Sequence, residues 1–363
     1  MEERYNEIEK LLSYLDNEKK DRVDEIVSTT DLEMVDGKLV YNEYEYNLTK
    51  LAQKQLARKL GITYSYWQKM VDEKQFELLD TNVNKWLVLQ EGKSEYHLIS
   101  HNNYDIEAFL SPRYKIVDNY DVLNTIINNV DMNKFDFRIG WQNNENNMIG
   151  IQLLEPDLVR KVSIDDSYIA GKMFQFSDLG GGINSGSVVW REVCSNGMMG
   201  FAESNENKIR MNGHMKNNRE YRKDPIYIEE EQAVKQMIEI LSKRSINIEE
   251  IDKRIKNLLD RKEQKIEDIE ALVWTLKSYL AMSDDEFLGF VTIIKENKVD
   301  NFYDLIQEIT NFAKNLNVSK QMKLEQMGGI LTDNKGNILD HLIINSEKMR
   351  KRLDKREDKW KMK

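Results

Sequence analysis

The segment 190–223 contains the side chains best suited to contact a ligand. Basic residues alternate there with aromatic rings, so the cations can contact phosphates while the rings stack on bases. This combination is typical of proteins that bind single-stranded nucleic acid. The alternative interpretation is a solvated basic loop leading into a helix. Together with one arginine upstream, the predicted nucleic-acid-binding residues are Arg113, Trp190, Arg191, Lys208, Arg210, Lys216, Arg219 and Arg222.

The charge of the chain is distributed unevenly. Its 53 Lys and Arg against 63 Asp and Glu give a net charge of −10, which by itself disfavours a nucleic-acid partner. Residues 1–50 carry 14 acids and 7 bases, a local charge of −7, whereas residues 205–223 carry +4 and residues 348–363 carry +6. The basic tail is therefore either a solvated helix end or a second nucleic-acid contact.

Catalytic and metal-binding patterns are weak. Cys194 would need a base such as His214 to act as a nucleophile, and a lone Cys after a β-like run is more typical of buried packing. His97 and His101 fall in a predicted strand, where positions four apart are separated by about 13 Å and cannot share a metal ion. The sequence has no glycine loop of the P-loop type. We therefore predict no catalytic residues, no metal, no cofactor and no enzymatic activity.

Composition sets the broad class. Of 363 residues, 40% are hydrophobic and 32% are charged, which is enough apolar material for a folded core. No run approaches the roughly 18 apolar residues of a membrane span, and the first residues lack the features of a signal peptide. A single Cys excludes an internal disulfide. These features predict a soluble, cytoplasmic protein with no membrane partner.

The elements that position the candidate residues follow from periodicity. Apolar residues recur at helical spacing over the first ~30 residues, and residues 32–35 and 38–41 flank Asp36-Gly37, a hairpin signal. An apolar stripe ends at Gly61, which favours a helix stop, and Thr63 opens a second helix. This order also occurs in helix-turn-helix DNA readers, but an ordinary helical hairpin is the favoured interpretation.

Between residues 86 and 193 the pattern changes to short β-like runs. Pairs of runs flank polar turns, beginning with predicted strands over residues 87–90 and 96–100. One isolated helix is predicted over residues 119–130. This arrangement indicates antiparallel strands around one or two helices rather than alternating βαβ units.

From residue 226 onwards the pattern is nearly all helical. Gly328-Gly329 is expected to end a short helix, and a small hairpin is predicted around residues 333–336 before a charged last helix. The fold class is therefore α+β, with an antiparallel sheet and helices in the N-terminal two-thirds and a helical C-terminal region. The predicted divisions are residues 1–85, mainly helical with a hairpin, 86–223, an antiparallel α+β core, and 224–363, helical with a basic tail.

Several short motifs, in a shared order, resemble a phage- and plasmid-borne protein family of unknown function, the DUF 932 type. The first is the segment 108–119, Ala-Phe-Leu-Ser-Pro-Arg-Tyr-Lys-Ile-Val-Asp-Asn, in which a Phe-Leu-Ser-x-Arg-Tyr stretch precedes a predicted helix as it does in the family. The second is Val193-Cys194-Ser195-Asn196-Gly197, followed by the basic stretch Lys208-Ile209-Arg210. Residues 55–62 and 324–329 also match, although Met327 stands where the family pattern has a small residue before the glycine.

The resemblance implies a phage or plasmid product acting in the cytoplasm of a host cell. In outline the predicted fold is also similar to phage single-strand annealing proteins, which form rings or filaments and pair strands without hydrolysing ATP. The leading hypothesis is a phage-type homo-oligomer that binds single-stranded nucleic acid, an ATP-independent DNA annealing or recombination accessory factor. The alternative is an interaction protein that binds and inhibits a host defence or regulatory protein through its acidic N-terminal helix, residues 2–31.

Overall fold

The computed structural model describes residues 2–361 apart from 90–95, 103–104, 115, 144–146, 164–165, 192–195, 201–207, 210–224, 244–245, 281 and 335–336. The described residues form twelve α-helices and two β-sheets, which confirms the α+β class. Strands occupy the N-terminal two-thirds, and the elements described after residue 224 are all helices.

The first sheet is built from six short strands, with three helices covering one of its faces. Its strands are β1 (Val23–Ser28), β2 (Glu33–Val35), β3 (Lys38–Tyr41), β4 (Tyr44–Leu48), β5 (Tyr96–Asn102) and β6 (Asp105–Leu110), in the order β1-β5-β6-β4-β3-β2. Neighbours are antiparallel except β4 and β6. The helices are α2 (Lys50–Leu60), α3 (Tyr64–Asp72) and α4 (Phe76–Leu89). They bury one core with the sheet around Leu39, Leu56 and Trp67.

Two local signals in this region are confirmed. β2 and β3 form the expected hairpin, and Asp36 and Gly37 take positive φ angles of 51° and 75°, as a two-residue hairpin turn requires. α2 ends at Gly61 in the left-handed conformation, and Thr63 stands at the N-cap position of α3.

The second sheet is an antiparallel meander. Its strands are β7 (Asp136–Asn143), β8 (Met148–Ser163), β9 (Asp166–Ser177), β10 (Gly182–Arg191) and β11 (Asn196–Gly200), in the order β11-β10-β9-β8-β7, with β12 (Lys208–Ile209) also paired to β10. One face packs against α1 (Glu2–Asp21), α5 (Asn119–Asn129) and α6 (Pro225–Lys243). Ile151, Phe174 and Phe176 supply the sheet side of that core.

The second sheet is strongly curled. Arg138 of β7 reaches the ring of Trp190 in β10, with 4.8 Å between Cζ and the ring centroid. Three strand spacings separate these strands, which is about 14 Å in a flat sheet and too far for this contact given the further offset along the strands. We call the concave side the inner face. Arg138, Gln152 and Met173 are successive cross-strand partners on it, and their partner on β10 is Gly186. Val188 and Trp190 follow Gly186 at alternate positions of β10 and therefore lie on the same face.

Glycine explains how the sheet bends. Gly171 of β9 is on the inner face, and a Cβ there would lie 2.5 Å from the carbonyl oxygen of Leu153. Gly140 sits at the bulge where the register of β7 against β8 shifts. Bulges and glycines at such positions allow a sheet to close on itself.

Six further helices form the C-terminal region. They are α7 (Ile248–Asp260), α8 (Ile269–Leu280), α9 (Asp284–Glu296), α10 (Phe302–Ala313), α11 (Val318–Asp333) and α12 (Ile338–Lys361). Their core includes Leu276, Phe290 and Ile306, and it continues onto the sheet through Tyr168 and Val189. α11 contacts both edge strands of the curled sheet, β7 and β11.

Four sequence predictions of local structure are wrong. The N-terminal helix ends at Asp21 and is followed by β1, whose Val23, Ile26 and Val27 favour a strand. Residues 87–89 belong to α4 rather than to a strand, because Leu79, Val83 and Leu87 repeat at helical spacing and are buried. The remaining two errors concern the end of α11.

α11 does not stop at its glycine pair. Gly328 and Gly329 are buried within the helix, which continues to Asp333. The elements described on either side of 335–336 are helices, so the predicted hairpin is wrong. Asn334 takes the left-handed conformation that ends α11, and α12 begins at Ile338. Two glycines lower helix propensity, but burial of both sides of the helix outweighs that cost here.

Candidate nucleic-acid interface

The predicted binding residues that the structure describes lie at both ends of β10. Lys208 of β12 pairs with Asn184, which lies about 20 Å along the strand from Trp190. Arg113 is exposed and lies at the same end as Lys208, since the backbone N–H of Gly182 donates to the hydroxyl of its neighbour Tyr114. Four predicted residues lie outside the described part of the chain: Arg210, Lys216, Arg219 and Arg222.

Trp190 and Arg191 lie on opposite faces of the curled sheet. Trp190 is half-buried on the inner face under the guanidinium of Arg138. Arg191 points to the outer face, where its Nη1 donates to Oε1 of Gln307 at 3.2 Å and its guanidinium lies 5.9 Å from the ring of Tyr303. Arg191 therefore ties the sheet to α10, and the structure does not bring the described basic residues into one patch.

A different basic surface is formed by the C-terminal helices. A groove of about 890 Å³ runs between α8 and α12. We call it the α8–α12 groove. Four cations and two aromatic side chains line it together with apolar Met282, Met349 and Leu353. These charged and aromatic residues are Trp274, Lys277, Tyr279, Lys348, Arg352 and Lys355.

The cations of α12 form one row. Lys348, Arg352 and Lys355 recur at helical spacing and are exposed, so they cover about 10 Å along the helix axis on one face. Lys348 donates to Oδ1 of Asn345, a neutral partner. Within the described residues neither Arg352 nor Lys355 has a carboxylate partner. This row therefore presents positive charge that no carboxylate of the described residues pairs with.

The opposite wall of the groove, on α8, contains one cation, Lys277, and this cation is paired with an acid. Its ammonium group bonds to the Asp284 carboxylate and lies 5.5 Å from the ring of Trp274 and 5.1 Å from that of Phe287. The lysine is therefore held over the ring of Trp274, which together with Tyr279 forms the aromatic wall of the groove. The groove combines a charged rim with stacking surfaces, the two features that single-strand binding requires.

Only some of the residues that line the groove could be predicted from the sequence. The excess of bases after residue 348 is visible in the composition, and their spacing on one helix face could have been read from it. Trp274 and Tyr279 lie far away in the sequence, and their meeting with α12 depends on tertiary packing.

A buried polar cluster joins the two sheets, and sequence reasoning missed it. Arg22 Nη1 donates to Asp178 Oδ2 at 2.6 Å and Arg22 Nε to Glu107 Oε2 at 2.9 Å. Asp178 also accepts from the backbone N–H of Asn119 at 3.2 Å and from Nδ2 of Asn147 at 3.0 Å. Glu107 belongs to the first sheet, Asp178 follows β9 of the second, and Arg22 therefore links them.

Burial dominates the electrostatics of this cluster. It raises the pKa of the Asp178 and Glu107 carboxyls, while Arg22 opposes the rise. Burial also works to lower the pKa of Arg22, but the two carboxylates raise it on balance. Part of the family-like motif lies here as well, through Asn119 and through Tyr114, whose hydroxyl donates to the Ser177 carbonyl at 3.3 Å. The cluster is largely buried and links the two sheets.

Among the histidine and cysteine candidates of the sequence analysis, the structure describes the side chain of His101. His101 is buried in β5 beside Glu25, with 3.5 Å between Nε2 and Oε2, and its ring packs on Tyr46. No group of three or more His, Cys, Asp or Glu among the described residues could hold a metal ion. Cys194 and His214 lie outside that part.

The helices also bear on the predicted partners, a membrane and a host protein. None of the described helices is both long and apolar enough to cross a membrane. The acidic N-terminal helix buries Ile8, Leu11 and Leu15 in the core shared with α5, and exposes charged residues such as Glu7 and Glu9. Binding of a host protein by that exposed side stays a prediction.

Comparison of the chain with protein-family models, with curated proteins and with solved structures finds no match. The resemblance to the phage- and plasmid-borne family therefore stays a prediction. What the protein can bind follows from the geometry of its surface.

Proposed function

We propose that this protein binds single-stranded nucleic acid in the α8–α12 groove and acts as a phage-type, ATP-independent annealing or recombination accessory factor. The observation that supports the proposal is the row of Lys348, Arg352 and Lys355 opposite the aromatic wall of Trp274 and Tyr279. Cations of this kind contact successive phosphates of one strand, and rings of this kind stack on its bases without reading sequence.

The shape of the groove favours a single strand over a duplex. Three of its four cations lie in one row on α12, so they follow one phosphodiester chain. Its aromatic side chains can stack only on bases that are not already stacked and paired in a helix. A protein that holds one strand with its bases accessible can present it to a complementary strand, which is the annealing step.

The test is binding to a labelled single strand of about 40 nucleotides across a salt series. Replacing Lys348 and Arg352 by Gln removes two phosphate contacts, and for single strands each contact contributes about 0.7 to the slope of log affinity against log salt. We expect weaker binding and a slope smaller by about 1.4. The matched control is Lys253→Gln with Lys256→Gln, two exposed cations on α7.

Comparison of the groove double variant with the α7 double variant distinguishes a defined binding groove from a general effect of net charge. Equal loss in both double variants means that only net charge matters and contradicts a defined groove. A full-length protein that does not bind single strands at low salt overturns the proposal. Mixing two complementary labelled strands without nucleotide then tests the annealing step, which the groove variant should slow and the α7 control should not.

A further inference from the structure

We infer that the inner face of the curled sheet is a second contact for the same strand, where an unpaired base stacks on Trp190 beside Arg138. This inference rests on the proposed function, because it identifies where a base rather than the backbone is held. It concerns a surface on β7 and β10, formed by elements different from α8 and α12.

The first support is the pairing of a free cation with an indole ring. The guanidinium of Arg138 lies 4.8 Å from the ring centroid of Trp190. Arg138 is exposed, and it makes no ion pair with a carboxylate of the described residues. The charge of an arginine beside an acid is paired with that acid. The guanidinium of Arg138 contacts an aromatic ring instead, so its charge is available to bind a phosphate.

The second support is the curl itself. Because β7 and β10 are three strands apart, the contact exists only where the sheet bends around its inner face. Next to Trp190 the inner face is filled by the buried side chains of Leu154, Met173 and Val188. A ligand can therefore reach Trp190 and Arg138 at the edge of the curl but cannot pass deeper, which suits one flat base rather than an extended ligand.

The third support is a hydrogen-bond acceptor beside the pair. Gln152 is the cross-strand neighbour of Arg138 and is 2% exposed. Its Oε1 is buried and accepts no hydrogen bond from the residues that the structure describes. Buried acceptors without a donor are uncommon. A base amino group that enters beside Arg138 supplies the missing donor once the guanidinium moves aside.

Binding would then proceed by exchange. The base takes the place of the guanidinium over the indole ring, and Arg138 turns to the phosphate of the same nucleotide. No bond is made or broken in this step. Stacking of one base on an aromatic side chain changes affinity by about 5- to 150-fold.

The experiment compares a normal strand with an abasic strand of equal length, using the full-length protein. Trp190→Leu should lower affinity for the normal strand about tenfold and leave the abasic strand nearly unchanged. Trp190→Tyr should restore binding. Arg138→Gln, at an exposed position, should lower the salt slope by about 0.7. The matched controls are Trp86→Leu on α4 and Arg58→Gln on α2, both exposed.

The groove and the inner face give different results in this design. Loss of the groove cations lowers affinity for normal and abasic strands alike, which tests the proposed function alone. If Trp190→Leu and Arg138→Gln both bind the normal strand as the wild type does, while the groove variant has lost binding, the inner-face contact is refuted and the proposed function stands. If Trp190→Leu is unfolded by circular dichroism, the Arg138→Gln result decides.

Discussion

Replacing Glu325 by Gln should stabilise the protein at alkaline pH. Glu325 lies on α11 and is 3% exposed. One carboxylate oxygen accepts from Nε2 of Gln321 at 2.9 Å, while the other, Oε2, is buried and has no hydrogen-bond partner among the described residues. Burial raises the pKa of Glu325 from 4.5 to about 7, although Gln321 and the charge of Lys314 oppose the rise. The folded protein therefore prefers the protonated acid.

The size of the expected stabilisation follows from the linkage between proton binding and folding. Between pH 4.5 and pH 7 the folded state binds a proton that the unfolded state has lost, so the free energy of unfolding falls as pH rises through this window and levels off above it. A shift from 4.5 to about 7 corresponds to about 3 kcal/mol. Glutamine is neutral and its carbonyl can still accept from Gln321, so it avoids this cost.

The measurement is urea unfolding of the wild type and Glu325→Gln at pH 5 and pH 8. We expect a small difference at pH 5 and a gain of up to about 3 kcal/mol for the variant at pH 8. Glu263→Gln, an exposed acid in the connection between α7 and α8, controls for the change in net charge. A variant that is no more stable at pH 8 than at pH 5, relative to wild type, refutes the argument that burial of this carboxylate is costly.

Three further stability effects can be measured by the same unfolding assay. Arg22→Ala leaves Asp178 and Glu107 buried without their cation and should cost about 3–5 kcal/mol, whereas Arg58→Ala at an exposed site should cost little. Ser283→Ala removes the capping box of α9 and should cost about 1 kcal/mol; a loss below 0.3 kcal/mol, on the order of error, would count against that cap. Gly37→Ala should destabilise the hairpin, because φ is 75° and the new Cβ would lie 2.6 Å from the ring of Phe76; an unchanged midpoint contradicts this.

Local structure could be predicted from the sequence where neighbouring residues decide it. The turn at Asp36-Gly37 and the end of α2 at Gly61 depend on residues that tolerate positive φ, so the chain alone contains the information. The predicted strand over residues 87–90 is wrong because bulky residues such as Leu87, Val88 and Leu89 fit a short strand as well as a helix end. Its assignment to α4 depends on Leu79 and Val83 earlier in the same helix packing on the first sheet.

The candidate site was predictable in composition but not in placement. The sequence identifies the C-terminal excess of bases, and it identifies Trp190 as an aromatic residue near cations. It contains no signal that Arg138 rather than Arg191 lies over that ring, since this depends on the curl of the sheet and on which face each strand position takes. The buried Arg22 cluster was missed for the same reason, because its members come from five separate segments of the chain.

The position of α11 restricts how copies of this protein can associate. Edge strands with free backbone groups are the sites where sheets of different molecules join. In the curled sheet α11 lies against β7 at one edge and against β11 at the other, where β12 also pairs with β10. The helix therefore occupies the places beside β7 and β11 where a strand from another molecule would add. A ring or filament of this protein would then be assembled through helix surfaces or through the first sheet, and its subunits should separate without unfolding of the curled sheet.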